Sequence, residues 1–200
     1  MINFLKIINF LGKHYSEEYT MHELSNILKI PYATFYRQVD MMTSSNCKIL
    51  NIKEIGKSKV VKLNLNHPII KSHLANSSFD EMQDFLQKNV LIKKLAHEIC
   101  NKNLGNDHII LLFGSYAKNK ETEKSDIDIL VINKKGNNTL SLSTFELLYK
   151  KKVNPICLTK KEFQNMLIDK DENIAKQALK DHIILYNQEE FWGCFLDAIR

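Results

Sequence analysis

The spacing of apolar residues in the first part of the chain predicts three short helices, over 2–14, 21–28 and 32–42. Thr20 and Glu23 form a capping-box pattern, which marks the start of the second helix. The third helix turns Phe35, Val39 and Met42 inward, at spacings of four and three residues. Its outward face is therefore made of small, polar and aromatic side chains.

Beyond these helices, alternating apolar and polar residues predict two strands, over 48–55 and 60–65, separated by a Gly-Lys-Ser-Lys turn. Two serines at 77 and 78 then form an N-cap pattern, and an apolar stripe from Phe79 to Cys100 predicts one long helix. We therefore expect a first domain over 1–78, a connecting helix over 79–104, and a second domain over 105–200.

Two continuous apolar runs flank a polar segment between residues 109 and 132. The first run ends at Gly114-Ser115, and the second follows Asp126 and Asp128, which predicts a strand, a tight turn and a second strand. Side chains two residues apart on a strand point the same way, so the two aspartates share one face. Two converging carboxylates repel each other, and a divalent ion such as Mg²⁺ removes this repulsion.

The remaining patterns complete an alternation of strands and helices. Strands are expected over 152–158 and 182–186, and helices over 143–151, 159–168, 172–179 and in an aromatic-rich tail. The whole chain is therefore expected to be a two-domain α/β (α+β) protein. Its second domain is expected to hold a small mixed sheet flanked by helices.

The amino-acid composition argues against a membrane-spanning, secreted or zinc-binding protein. No apolar run approaches the roughly 20 residues that a membrane helix needs, and the N-terminus lacks the pattern of a signal peptide. The four cysteines stand far apart without a Cys-x-x-Cys pair, which suggests neither a zinc site nor a disulfide framework. We therefore expect a cytoplasmic protein with no membrane partner.

Charge is divided unevenly between the two parts. Residues 1–78 hold 10 Lys and Arg against 5 Asp and Glu, a net charge of 10 − 5 = +5. Residues 79–200 hold 18 of each, a net charge of zero. A basic part joined to a neutral one suggests that the first part meets a polyanion.

Three helices followed by a hairpin with a basic tip resemble the winged helix-turn-helix family over about residues 2–66. The resemblance implies that the third helix lies in the major groove of DNA and that the hairpin touches phosphates. The implied DNA-contacting residues are Ala33, Thr34, Tyr36, Arg37, Gln38, Lys57 and Lys59. The same fold also serves as a protein-interaction module, and the sequence leaves that alternative open.

Gly114-Ser115-Tyr116-Ala117, a spacer and then Ser125-Asp126-Ile127-Asp128 resemble the signature of the nucleotidyltransferase superfamily, in particular its minimal archaeal and bacterial members. The resemblance implies that Asp126 and Asp128 are catalytic and bind Mg²⁺. It also implies that ATP or another nucleoside triphosphate contacts Gly114, Ser115, Lys118 and Ser125. Lys118 and Asn119 stand where the family has arginine and glycine.

Active members of that superfamily carry a third carboxylate on a neighbouring strand. Here the position expected to supply it holds Asn154, which offers a neutral oxygen and cannot accept a proton. The nearby acids are poor replacements because each lies in a helix, a cap or the spacer; they are Glu121, Glu123, Glu146 and Glu162.

Three functions fit these observations. The first is a DNA-binding regulator or sensor that binds nucleotide and metal with weak or absent turnover. The second is an active Mg²⁺-dependent enzyme that moves a nucleotide, for example AMP, onto a protein or small-molecule hydroxyl. The third is an antitoxin-like protein-interaction module. A homodimer paired through the helix over 79–100 is a further expectation.

Overall fold

The computed structural model describes residues 3–44, 47–56, 58–102 and 104–200. It divides into two compact units, one comprising Met1–Ser77 together with Arg200 and the other Ser78–Ile199. Unit 1 contains α1 (Asn3–Lys13), β1 (Tyr19–Thr20), α2 (Met21–Ile27), α3 (Tyr32–Thr43), β2 (Leu50–Ile55) and β3 (Ser58–Leu63).

Unit 1 combines its helices with a three-stranded antiparallel sheet. The sheet has the order β1-β3-β2. The predicted capping box is confirmed, because the Glu23 amide donates to the Thr20 hydroxyl at 3.2 Å and the Thr20 amide donates to Glu23 at 2.8 Å. Phe35, Val39 and Met42 are fully buried, as their spacing predicts. The short strand β1 carries too few residues to show an alternating pattern.

The helix predicted to start near Phe79 starts nine residues earlier, so that prediction was wrong. Helix α4 runs over Ile70–Lys88 and passes through both serines, which are fully buried. The Ser77 hydroxyl donates to the Leu74 carbonyl at 2.8 Å, so it bonds within the helix instead of capping its start.

The single connecting helix over 79–104 is also wrong, because the chain breaks at Asn89. This residue leaves the helical region, with φ −118° and ψ 80°, and its side chain donates to the Phe85 carbonyl at 3.0 Å. A separate helix α5 then runs over Val90–Cys100.

Unit 2 continues with an alternation of strands and helices: β4 (Ile109–Phe113), α6 (Gly114–Ala117), β5 (Ile127–Ile132), α7 (Ser143–Tyr149), β6 (Val153–Leu158), α8 (Lys160–Ile168), α9 (Ile174–Lys180), β7 (Ile183–Tyr186) and α10 (Gln188–Ile199). Its mixed sheet has the order β6-β5-β4-β7, with β6 parallel to β5 and the other pairs antiparallel. The predicted mixed α/β architecture is therefore confirmed for this unit.

The central strands of unit 2 are buried on both faces, which is why they appear as continuous apolar runs. On one face, Ile110, Leu112, Ile127, Ile129 and Val131 join a core formed with α4 and α5. Leu111, Leu130 and Ile132 are fully buried as well, on the alternate face of the strands.

Helix α10 supplies the aromatic part of this unit. Phe191, Trp192 and Phe195 are fully buried, and the rings of Trp192 and Phe195 meet edge to face at 5.2 Å. The Trp192 indole nitrogen donates to the Ser78 hydroxyl at 2.8 Å, and this hydrogen bond joins α10 to α4. Among the described residues, no helix has the length and apolar character needed to cross a membrane.

Candidate functional site

The candidate site lies at the edge of the unit 2 sheet where β4 ends and β5 and β6 begin. The strand register places Asp128 between two neighbours: Phe113 on the antiparallel strand β4 and Asn154 on the parallel strand β6. The polypeptide leaves Phe113 directly into the Gly114-Ser115 turn. Three neighbouring strands therefore bring the turn, the aspartate and the asparagine together.

Gly114 holds a position that only glycine fits. Its φ is +73°, which other residues rarely adopt, and a Cβ added there would lie 2.5 Å from the Asp128 Oδ2 atom. The backbone can therefore approach the carboxylate only because this residue has no side chain. The turn continues into the short helix α6, where Ser115 is partly exposed.

Asp126 and Asp128 converge, as their spacing predicts. The Asn154 Nδ2 atom donates to Asp126 Oδ2 at 3.2 Å and lies 3.5 Å from Asp128 Oδ1. Both aspartates are partly exposed, whereas Ile127 between them is fully buried. One amide thus spans two carboxylates on an accessible face of the sheet.

Asn154 lies at the position where a third acidic side chain is expected. Within the described part of the chain, no group of three His, Cys, Asp or Glu side chains is placed to hold a metal ion. Glu146 accepts a hydrogen bond from the Val153 amide at 2.8 Å, and Glu162 caps helix α8 through Thr159. Glu121 and Glu123 line an adjacent open cavity of about 760 Å³.

The donor set fits one divalent cation better than two. Two carboxylates balance the charge of a single Mg²⁺, and the Asn154 side chain can present its oxygen to a metal if the amide rotates by half a turn. A second ion at the same place would need negative charge that Asn154 does not supply. The residues therefore fit a site for one ion.

The other predicted nucleotide-binding residues are arranged around the turn. The Ser125 hydroxyl accepts a hydrogen bond from the Thr122 amide at 2.8 Å, so it fixes the spacer that leads to Asp126. The Lys118 Nζ atom lies 3.1 Å from the Asp181 carboxylate, and both side chains are about half exposed. Asp181 precedes β7, on the far side of β4 from Asp128.

Sequence analysis missed Asp181. Its contact with Lys118 depends on β7 pairing with β4 instead of with a strand nearer in sequence. The apolar run at the end of the chain predicted the strand, but nothing in that run indicated which neighbour it would have.

In unit 1, the structure places most of the residues predicted to contact DNA on α3, and the contact itself stays a prediction. Ala33, Tyr36 and Arg37 are exposed on α3 and Thr34 is partly exposed, but the Arg37 Nε atom donates to the Ala33 carbonyl at 3.2 Å. The Gln38 side-chain oxygen is buried in the protein.

On the hairpin, the Lys59 Nζ atom lies 4.0 Å from the Glu54 carboxylate, and the Lys59 side chain is about half exposed whereas that of Glu54 is largely exposed. Lys57 lies outside the described residues.

Comparison with known proteins adds evidence for unit 2. Residues 93–191 match a family model described as "Polymerase beta, Nucleotidyltransferase". This match contains Gly114, Asp126, Asp128 and Asn154, and it does not extend to the first 92 residues. No solved structure matches the chain at a significant level.

Two relatives from Methanocaldococcus jannaschii both carry the name "Putative protein adenylyltransferase". One is 29% identical over 129 residues, which cover 60% of this chain and 78% of that protein. The other is 43% identical over 54 residues, which cover 27% of this chain, so the chain spans only about half (47%) of that relative. Together with the geometry of the turn and the paired aspartates, these matches show that residues 93–191 are similar to nucleotidyltransferase domains of the polymerase beta type.

Proposed function

We propose that unit 2 transfers an adenylyl group from ATP to a hydroxyl group of a protein, with Mg²⁺ as the cofactor. The observation that carries this proposal is the convergence of Asp126 and Asp128 beside the Gly114 turn. The choice of ATP and of a protein acceptor is supported by the names of the two relatives. A nucleotidyltransferase domain alone would leave both open.

Each residue near the turn has a chemical role in this proposal. The Gly114-Ser115 backbone approaches the phosphates, and Lys118 provides positive charge for them. Asp126 and Asp128 would hold the metal ion, which neutralises phosphate charge when bound. The acceptor oxygen forms a bond to the α-phosphorus as the bond to pyrophosphate breaks, and the hydroxyl proton passes to solvent because Asn154 cannot accept it.

ATP labelled at the α-phosphate tests the reaction. The protein is incubated with Mg²⁺ and with cell extract proteins as acceptors, and labelled protein bands are expected. Asp126→Asn and Asp128→Asn should abolish labelling because each removes a charge that holds the metal. ATP labelled at the γ-phosphate is the control, since adding the protein should then give no label beyond that of the extract alone. Labelling that persists in both variants would refute the proposal.

A second candidate is a nucleotide-binding sensor with weak or absent turnover, and Asn154 is the observation that favours it. In this case wild-type protein binds ATP and Mg²⁺ but labels nothing. Asn154→Asp restores an acid beside Asp128 and should then raise labelling. Binding without turnover in the wild type, together with a gain in this variant, would favour the sensor over the enzyme.

For unit 1, we propose a winged helix-turn-helix that binds duplex DNA. The order of its helices and strands and the net charge of +5 over residues 1–78 support this assignment. Affinity for duplex DNA should fall steeply with salt, and Arg37→Ala should weaken it. Affinity that does not depend on salt would contradict the proposal.

A further inference from the structure

An unusually apolar surface lies on unit 2 between α5 and α7. The side chains of Val90 at the start of α5 and of Leu147 and Leu148 in α7 are 63%, 81% and 69% exposed. Val90 and Leu148 line a groove of about 450 Å³, which we call the α5–α7 groove, and the exposed Leu147 precedes Leu148 on α7. Clustered exposed apolar side chains of this kind mark interaction surfaces in soluble proteins.

Aromatic side chains form the base of the groove. Phe145 is buried, and its ring lies 4.8 Å from the ring of Tyr149, centre to centre. The Lys94 Nζ atom lies over the Tyr149 ring at 4.8 Å from its centre. The groove therefore combines an aromatic base with the protruding Leu148 on one wall, next to the exposed Leu147 of α7.

The charge around the groove is positive. Lys93 and Lys94 line it, and within the part of the chain that the structure describes neither forms an ion pair. The one acid in the lining, Glu98, is already paired with Lys102 at 3.0 Å. A ligand of this groove should therefore offer apolar side chains to the leucines and carboxylates to the lysines.

We propose that the α5–α7 groove is the docking site for an acidic amphipathic helix of a partner protein. A helix presents apolar residues on one face and charges beside them, which matches a groove with a basic wall. A second copy of this chain fits less well, because a two-fold contact would bring its Lys93 and Lys94 against the same lysines.

The groove is connected to the candidate active site through β6. Glu146 in α7 accepts a hydrogen bond from the Val153 amide at 2.8 Å, and Asn154 is the next residue. A partner helix held in the groove would thus be anchored to the strand that carries Asn154. The binding of this partner helix is independent of the proposed function. Its role as the acceptor of the adenylyl group rests on that function.

A synthetic helical peptide tests the docking site. It carries leucines at positions i, i+3, i+4 and i+7 with glutamates beside them, and a matched peptide replaces the glutamates with lysines. Fluorescence anisotropy with the full chain should show the acidic peptide binding at least roughly tenfold more tightly than the basic one. Equal affinity for the two peptides would overturn the proposal.

Two sets of variants locate the binding. Lys93→Glu with Lys94→Glu should weaken the acidic peptide and strengthen the basic one, and Leu147→Ser with Leu148→Ser should weaken both. Lys161→Glu with Lys170→Glu and the single change Ile168→Ser are matched controls, because these side chains are exposed on another part of unit 2. Controls that reduce binding as much as the groove variants would overturn the proposal.

Three further outcomes separate this inference from its alternatives. If the chain is a dimer in solution that becomes monomeric with Leu147→Ser and Leu148→Ser, the groove is a contact between copies and the proposal fails. If the peptide binds the groove but a serine- and tyrosine-containing tail on it receives no label from ATP, docking stands and its role in acceptor selection fails. Adenylyl transfer to other proteins with no peptide binding would overturn docking alone.

Discussion

Replacing Gly114 with alanine should inactivate the site while leaving the protein folded. The new Cβ would lie 2.5 Å from Asp128 Oδ2, far closer than two such atoms tolerate. The carboxylate must therefore rotate away from the turn, which separates it from Asp126 and from the Asn154 amide. In addition, a non-glycine residue at φ +73° costs about 1–2 kcal/mol of backbone strain.

The expected loss is therefore about 1–3 kcal/mol in the free energy of unfolding, because the displaced carboxylate is partly exposed and can move. This lowers the melting temperature by several degrees for a unit of this size. Adenylyl transfer and ATP affinity in the presence of Mg²⁺ should fall far more, by roughly a hundredfold or beyond in transfer rate, since the metal loses one of two charged ligands.

Gly56→Ala is the matched control for this experiment. Gly56 also has a positive φ, of +60°, but apart from its chain neighbours no atom of the described residues lies within 4 Å of an added Cβ. The Gly56→Ala variant should lose only the free energy of unfolding that backbone strain costs, and its adenylyl transfer should stay unchanged. Thermal unfolding and the labelling assay, applied to both variants, separate strain from displacement of Asp128. Full transfer activity in Gly114→Ala would refute this account of the turn.

Further expectations concern a phosphate contact, a cysteine and a helix cap. Lys118→Ala should weaken ATP binding about fivefold, because one exposed cation near the phosphates is lost; an unchanged dissociation constant from calorimetry would show that Lys118 stays with Asp181. Burial raises the pKa of the Cys194 thiol to about 11, so alkylation at pH 8 should modify exposed Cys100 and spare Cys194, as mass spectrometry can show. Thr159→Ala should lower the free energy of unfolding by about 1 kcal/mol, since it removes the cap of α8. Hydrogen bonds from the Thr159 amide and hydroxyl lower the pKa of Glu162, so the stabilisation from this cap is present above the ordinary glutamate pKa and is lost as the pH falls through the lowered value. Thermal unfolding at neutral and acidic pH tests this prediction. A melting temperature that rises on acidification in the wild type but not in Glu162→Gln would contradict it.

The parts of the fold with short-range causes could be predicted from the sequence. Both capping boxes are local, since a hydroxyl and a carboxylate three residues apart satisfy each other's amides regardless of the rest of the chain. The convergence of Asp126 and Asp128 follows from strand geometry alone. Asn154 could be placed beside them because a strand after a helical crossover pairs in parallel with the strand before it.

The parts that depend on long-range packing could not be predicted. Ser77 and Ser78 form an N-cap pattern, but a hydroxyl inside a helix can bond to the preceding turn and then gives no start signal. The pairing of Lys118 with Asp181 depends on a neighbour distant in sequence. The spacing of apolar residues predicts which face of a helix or strand is buried. It does not predict which other helix or strand packs against that face.

The hydrogen bond between Trp192 and Ser78 has a consequence for how unit 2 folds. It joins residues 114 positions apart, and α10 brings the buried rings of Phe191, Trp192 and Phe195 to the core late in the sequence. A growing chain that has not yet reached α10 leaves apolar surface of the central strands uncovered, even though the turn and both aspartates are already synthesised. Formation of the site should therefore be a late step in folding, slowed by a contact of high sequence separation. Truncation before Trp192 should give an aggregation-prone protein and not merely an inactive one.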